Sequence, residues 1–239
     1  IQLTLLSLKT FFNGLSHLNQ KMKRRLVLKE VPLWILIAIP IIYLYKNWDI
    51  VPETVPLHFN IFGEADRFGP KSALVNLAII VSLLSYSIFL LARYFDPNKA
   101  LSQMASKFYQ LRLIFTIIVS AVLYSLFYSI INDSSDFSNS IFIIAAIIFI
   151  VLGNFFRNIK ANYFIGIRTP WTLKNEEVWK ETHRYSSIIW VIGGLLMLLT
   201  NVLNTPDVAW LINVLILACL ILIPFIYSYK KYKAINKQV

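Results

Sequence analysis

Leu113-Ile114-Phe115-Thr116-Ile117-Ile118-Val119-Ser120-Ala121-Val122-Leu123-Tyr124-Ser125-Leu126-Phe127-Tyr128-Ser129-Ile130-Ile131 is a run of 19 residues without an acidic or basic side chain. As a helix such a run is long enough to cross roughly 30 Å of hydrocarbon, which a core helix of a soluble domain has no need to do. Comparable runs lie near 31–48, 73–92, 140–156, 187–203 and 208–229, so the spacing predicts about six transmembrane helices. Composition agrees, with 57% hydrophobic residues, 15% charged residues and a mean hydropathy of +0.63. The expected fold class is therefore all-α, a polytopic membrane protein, and a soluble enzyme is excluded. The first run is the least regular, because Pro32 and Pro40 interrupt it and predict a kink near Pro40. Trp34, Tyr43, Tyr45 and Trp48 supply the aromatic residues that anchor helix ends at an interface.

Charge orients these spans. The chain has 23 Lys and Arg against 12 Asp and Glu, a net +11. Only Lys46, Arg67 and Lys71 fall in the first, third and fifth loops, and all other basic residues fall in the N-terminal segment, the second and fourth loops and the tail. The positive-inside rule then predicts that both termini are cytoplasmic. Asp49, Glu53, Glu64, Asp66, Asp133, Asp136 and Asp207 make the outer side acidic. The excess charge is thus an orientation signal, the lipid bilayer is the implied partner, and no direct nucleic-acid contact is expected. The single cysteine, Cys219, offers neither a disulfide nor a structural zinc site, and no cofactor is implied. Met22-Lys23-Arg24-Arg25 reads as a start site, with residues 1–21 an upstream extension. The alternative for that stretch is an interfacial helix carrying Ile1, Leu5, Leu8, Phe12, Leu15 and Leu18 on one face. The expected organisation is a two-span unit over 22–95 with an outer loop at 49–72, then a four-span unit over 96–239 with a cytoplasmic loop at 157–187.

Proton relays and ion-coupled transport need ionisable groups inside the membrane, and none is expected in the middle of these spans. The polar residues there, Asn76, Ser85, Ser120, Asn154, Thr200 and Asn213, are assigned to hydrogen bonding between helices rather than to a permeation path.

Two loops carry chemistry. In the outer loop Gly63, Gly69 and Pro70 supply turns, while His58, Glu64 and Asp66 are the acceptors that could converge on a metal. A second His or a Cys is missing, so no metal site is assigned. The competing reading is a folded turn in which Asp66 bonds local amides and Lys71 snorkels. In the fourth loop a helix should begin near Thr172 or Asn175, with Glu176 and Glu177 in its first turn and Lys180 four residues after Glu176. It is expected to lie at the interface, with Trp171 and Trp179 at headgroup depth, and to run into the fifth span. His183 with Glu177 is the one pair with the chemistry for acid–base catalysis, set against an anchoring role.

Asn162-Tyr163-Phe164, Gly166, Arg168-Thr169-Pro170-Trp171-Thr172, Glu177-Val178-Trp179 and His183-Arg184, in this order and spacing, resemble the signature of the SdpI family. Pro56, His58-Phe59-Asn60, Gly63, Asp66, Gly69 and Lys71 resemble a domain of unknown function that often precedes that signature. The resemblance implies a non-enzymatic, multi-pass protein of the bacterial plasma membrane that confers immunity to a secreted peptide toxin. It also implies signalling through a transcriptional repressor held at the membrane. It points to two candidate binding surfaces. The inner one comprises Asn162, Gly166, Arg168, Thr169, Pro170, Trp171, Thr172, Glu177, Trp179 and His183, and the outer one His58, Asn60, Gly63, Asp66 and Lys71. The alternative function is a small-solute transporter or exporter.

Overall fold

The computed structural model describes residues 20–60, 65–92, 105–132, 137–157, 159–162, 165–203 and 206–236. Residues 1–19, on which the interfacial-helix alternative rests, and Gly63, Glu64, Tyr163 and Phe164 lie outside them. Helix α1 spans Gln20–Lys46 and is followed by a 3-10 turn at Trp48–Ile50 and by strands β1 (Thr54–Phe59) and β2 (Ala65–Pro70). Then come α2 (Ser72–Ala92), α3 (Ala105–Ile131), α4 (Phe137–Phe156), the short α5 (Pro170–Lys174), α6 (Glu176–Leu203) and α7 (Pro206–Asn236). The chain is thus mostly helical, but it is not all-α. β1 and β2 form an antiparallel hairpin where the sequence suggested only turns. Its pairing is irregular around His58, and Pro56, which lacks an N–H, is tolerated because a two-stranded sheet consists of edges.

Among the described residues, five segments are long and apolar enough to cross a membrane: Val27–Lys46, Ser72–Ala92, Ala105–Ile131, Glu176–Leu203 and Val208–Asn236. The apolar part of α4, Ser140–Phe156, is shorter. The surface of these helices is that of a protein solvated by lipid. Leu83, Ile192 and Ile221 are 60%, 50% and 64% exposed, whereas Ser82, Ser85, Ser187, Asn213 and Ser228 are buried. Lipid tails give apolar side chains no reason to hide, so small residues take the interior, where they let helices approach closely. Gly194 is an example: a Cβ there would lie 2.6 Å from the Ala146 carbonyl oxygen of α4.

Helices α1, α2 and α3 close around one core of Leu44, Val51, Val55, Leu74, Ala78, Leu123, Phe127 and Ile130. Val55 is fully buried in it and so pins the hairpin to the helix ends. A second core, built on Ala146, Met197 and Leu220, joins α4, α6 and α7.

Helix α1 continues through both Pro32 and Pro40. Pro40 cannot donate to the carbonyl of Leu36, four residues back. That carbonyl instead accepts from the Ser120 hydroxyl of α3 at 2.6 Å. The same arrangement recurs in α7, where Pro224 leaves the Leu220 carbonyl without its helical donor and Trp190 Nε1 of α6 donates to it at 2.9 Å. Ser120 is therefore the interhelical hydrogen bonder that the sequence suggested. Ser85 and Thr200 bond carbonyls of their own helices, Asn76 and Asn154 are exposed, and Asn213 is fully buried with both amide atoms unpartnered.

Candidate functional site

The fourth-loop residues fold into a tightly bonded cap on the start of α6. Asn162, 4% exposed, closes the loop from inside: its Oδ1 accepts from Ile165 N at 2.8 Å, and its Nδ2 donates to the Lys160 and Ile165 carbonyls. The chain then turns at Gly166, whose φ of 121° is the left-handed conformation that glycine adopts without strain. A Cβ there would lie 2.5 Å from His183 Nε2 and 3.0 Å from the Trp179 ring. Thr169 and Thr172 form a reciprocal capping box that starts α5. Thr169 Oγ1 accepts from Thr172 N at 3.2 Å, Thr172 Oγ1 accepts from Thr169 N at 2.9 Å, and Pro170 stands in the first turn where its missing N–H costs nothing. The helix start expected near Thr172 thus belongs to α5, with Thr169 as its cap. Asn175 caps α6, its Oδ1 accepting from Glu177 N and Val178 N.

Trp179 and His183 are the base of this cap. Both are 1% exposed and their rings stack with centroids 4.2 Å apart. Trp179 Nε1 donates to the Ile159 carbonyl at 2.9 Å, so the ring is buried inside the protein and is not an exposed anchor facing lipid headgroups. The indole N–H, which needs a partner when buried, is satisfied by this carbonyl. Trp171 packs edge-on against Phe225 and beside Tyr229 of α7. His183 accepts from Ile167 N through Nε2 at 2.9 Å, and its Nδ1 lies 2.8 Å from the Trp179 carbonyl, to which it donates. Both ring nitrogens are thus committed to backbone in the neutral form, and Glu177 is exposed and faces Lys231 at 3.9 Å. The geometry does not bring His183 and Glu177 together, and a shared acid–base role has no support from it. Of the inner candidates, Asn162, Gly166, Thr169, Thr172, Trp179 and His183 shape the loop, whereas Arg168, Pro170 and Glu177 are displayed on its surface.

At the hairpin, His58 Nδ1 and Asp66 Oδ1 meet at 2.6 Å near the tip. Asp66 thus pairs with a side chain across the strands instead of with local amides. Lys71 stands at the other end, where its Nζ lies 2.8 Å from Glu53 and 5.1 Å from the Trp48 ring centroid. It is ion-paired to an exposed carboxylate, an arrangement that a side chain reaching its charge toward the interface also allows, and it stands apart from the His58–Asp66 pair. Among the described residues no group of three His, Cys, Asp or Glu converges as metal ligands.

One constellation was missed in the sequence. Arg112, 7% exposed, forks onto Glu30 with Nη1 to Oε1 at 2.7 Å and Nη2 to Oε2 at 2.6 Å. Tyr86 donates to the same carboxylate at 2.8 Å, and its ring lies under the guanidinium, 4.6 Å from it. Tyr109 donates to the Lys29 carbonyl beside them. In sequence Arg112 stands in the second basic loop, just before Leu113, and Glu30 just before the first apolar run. The structure extends α1 and α3 past both residues and buries the pair between helices. The available signal was one acid and one base, each directly abutting an apolar run.

Residues 158–228 match the SdpI/YfhL protein family, and residues 35–86 match the domain of unknown function DUF1648. The resemblance read from both loops is therefore shown. The chain is 29% identical over 191 residues to Immunity protein SdpI of Bacillus subtilis, covering 79% of this chain and 88% of that protein. It is 38% identical over 60 residues to an uncharacterized protein of Archaeoglobus fulgidus, covering 24% of this chain and 33% of that one. No solved structure matches it.

Proposed function

We propose that this chain is an immunity protein of the bacterial plasma membrane that gives resistance to a secreted peptide toxin, threaded as six spans with both termini cytoplasmic. The similarity that runs along 79% of this chain and 88% of an immunity protein carries the reading. Helix α4 is the sixth span, because an even number of crossings is needed to keep the basic N-terminal segment and the basic tail on one side. The hairpin, with His58 and Asp66 at its tip, faces outward and meets the toxin. The capped inner loop, with Arg168, Pro170 and Glu177 displayed, is the dock for a transcriptional repressor. Arg168 suits that role, since its planar fork of donors recognises carboxylates with two bonds.

Expression in a toxin-sensitive host tests this. Survival under the peptide should rise when the chain is present in the membrane, and Arg168→Ala should impair signalling or protection at unchanged abundance on an immunoblot. Unchanged survival at confirmed membrane expression would sink the toxin reading, and solute flux in proteoliposomes would replace it with a transporter.

A further inference from the structure

Ile165, in the inner loop, has two seats. On one side it packs, with Ala92 of α2 and Leu152 and Phe155 of α4, against a cluster of Phe89 from α2 and Phe108 and Leu111 from α3. On the other it packs against Phe156, Ile159 and Trp179 at the base of the loop. Its backbone is the part of the loop that Asn162 closes, with Ile165 N donating to Oδ1 at 2.8 Å and the Ile165 carbonyl accepting from Nδ2 at 3.1 Å. Gly166 follows at once, and then Ile167, whose N–H donates to His183 Nε2. The Phe89 cluster is itself positioned by charge. Arg112 adjoins Leu111, and Tyr86 stands about one helical turn before Phe89. The Glu30 carboxylate accepts both the Arg112 fork and the Tyr86 hydroxyl, so α1, α2 and α3 are tied together beside the residues that Ile165 meets. The same three helices hold Val55 of the hairpin at their other end.

We infer that Ile165 is a latch: the first three helices hold the inner loop closed through it, and a displacement that draws the Phe89 cluster away from α4 opens the loop around Asn162 and Gly166. Interiors are close-packed, so a side chain shared by two clusters cannot follow one without leaving the other. Once the seat is lost, the bonds of Asn162 and His183 hold the turn alone, and a segment with few apolar contacts opens at low cost. The consequence rests on the reading of the inner loop as a dock: the helices that carry the hairpin control when the surface around Arg168 is presented.

Hydrogen–deuterium exchange of the purified full chain in detergent, read at the amides of residues 165–169, tests the latch without toxin or repressor. Failure of the dock would appear in the protection assay and leave this measurement untouched. Phe89→Ala should speed exchange at these amides about tenfold or more, a modest share of what truncating a core Phe costs, while residues 190–200 of α6 keep wild-type protection. Glu30→Met combined with Arg112→Met, which removes the clamp without stranding a charge, should shift the same amides in the same direction. In an Ile165→Ala background, where the loop is already released, neither change should add to the exchange. Phe127→Ala, an equal truncation in the outer core, should leave residues 165–169 unchanged. If Phe89→Ala also exposes the α6 amides, the Glu30 and Arg112 pair decides. Loop exchange left at the wild-type rate by the deciding variant, its full effect persisting in the Ile165→Ala background, or equal acceleration by Phe127→Ala would overturn the latch.

Discussion

At the scale of single residues, the inner loop is held by groups whose alternatives are all costly. Gly166 is required twice over, by a φ of 121° and by the 2.5 Å that would separate a Cβ from His183 Nε2. Gly166→Ala should therefore destabilise the protein by at least the about 1–3 kcal/mol that a non-glycine residue forced into such a conformation costs. Limited proteolysis should detect the change as faster cleavage between residues 159 and 169. An unchanged cleavage rate would mean that the turn can relax without the glycine. His183 carries a polar load that is easily misread from sequence: a lone histidine beside glutamates suggests catalysis, yet here it closes hydrogen bonds for Ile167 N and the Trp179 carbonyl. Burial is what distinguishes the two roles, and burial of a single residue is not written in its neighbours.

At the scale of elements, two prolines and two side-chain donors form matched pairs across helices. The Trp190–Leu220 bond should be worth about 0.5–1.5 kcal/mol in the presence of Pro224, because the carbonyl has no other donor in its helix. Trp190 also packs against Phe149 and Phe156, so comparison should begin from Trp190→Phe, which keeps most of that volume. In a Pro224→Ala background the cost of Trp190→Phe should shrink, since Ala at 224 supplies the missing N–H. A double-mutant cycle on thermal unfolding in detergent reads this directly, and an additive cycle would refute the pairing. The Glu30–Arg112 pair ties α1 to α3 and, through Tyr86, to α2. Removing one partner of a buried ion pair strands the other, a loss of about 3–5 kcal/mol in a fully buried setting and less here because Glu30 is 24% exposed. Arg112→Met should thus lower the melting temperature more than Arg112→Met combined with Glu30→Met does. The reverse order would show that the guanidinium has other support.

At the scale of the whole molecule, the prediction concerns which ends share a side. Cysteine placed at Asn132, an exposed residue just after α3, should react with an impermeant thiol reagent in intact cells. Cysteine at Lys174, exposed at the end of α5, should react only after the membrane is opened. Lys174 is preferred to its neighbour Asn175, whose side chain caps α6. Cys219 is exposed and must first be replaced by Ala to remove background labelling. Reaction at Lys174→Cys in intact cells would reverse the orientation drawn from the basic residues.

The membrane character, the approximate position of each apolar helix and the two loops that carry the family patterns were legible in the sequence. They depend on local quantities: the length of apolar runs, the spacing of short motifs and residue types such as Asn175 that cap a helix wherever one begins. The hairpin was not legible, because its pairing joins residues with irregular alternation and is fixed by Val55 entering a core made by three helices. Nor was the partnership of Glu30 with Arg112, 82 residues apart in sequence, or that of Ser120 and Trp190 with carbonyls that prolines on other helices leave open. A charge, a hydroxyl or an indole declares what it can bond, but the distance to its partner is set only when the helices pack. The tertiary structure alone decided that His183 and Trp179 lie inside the inner loop and Arg168 on its surface, because burial is a property of the assembled chain.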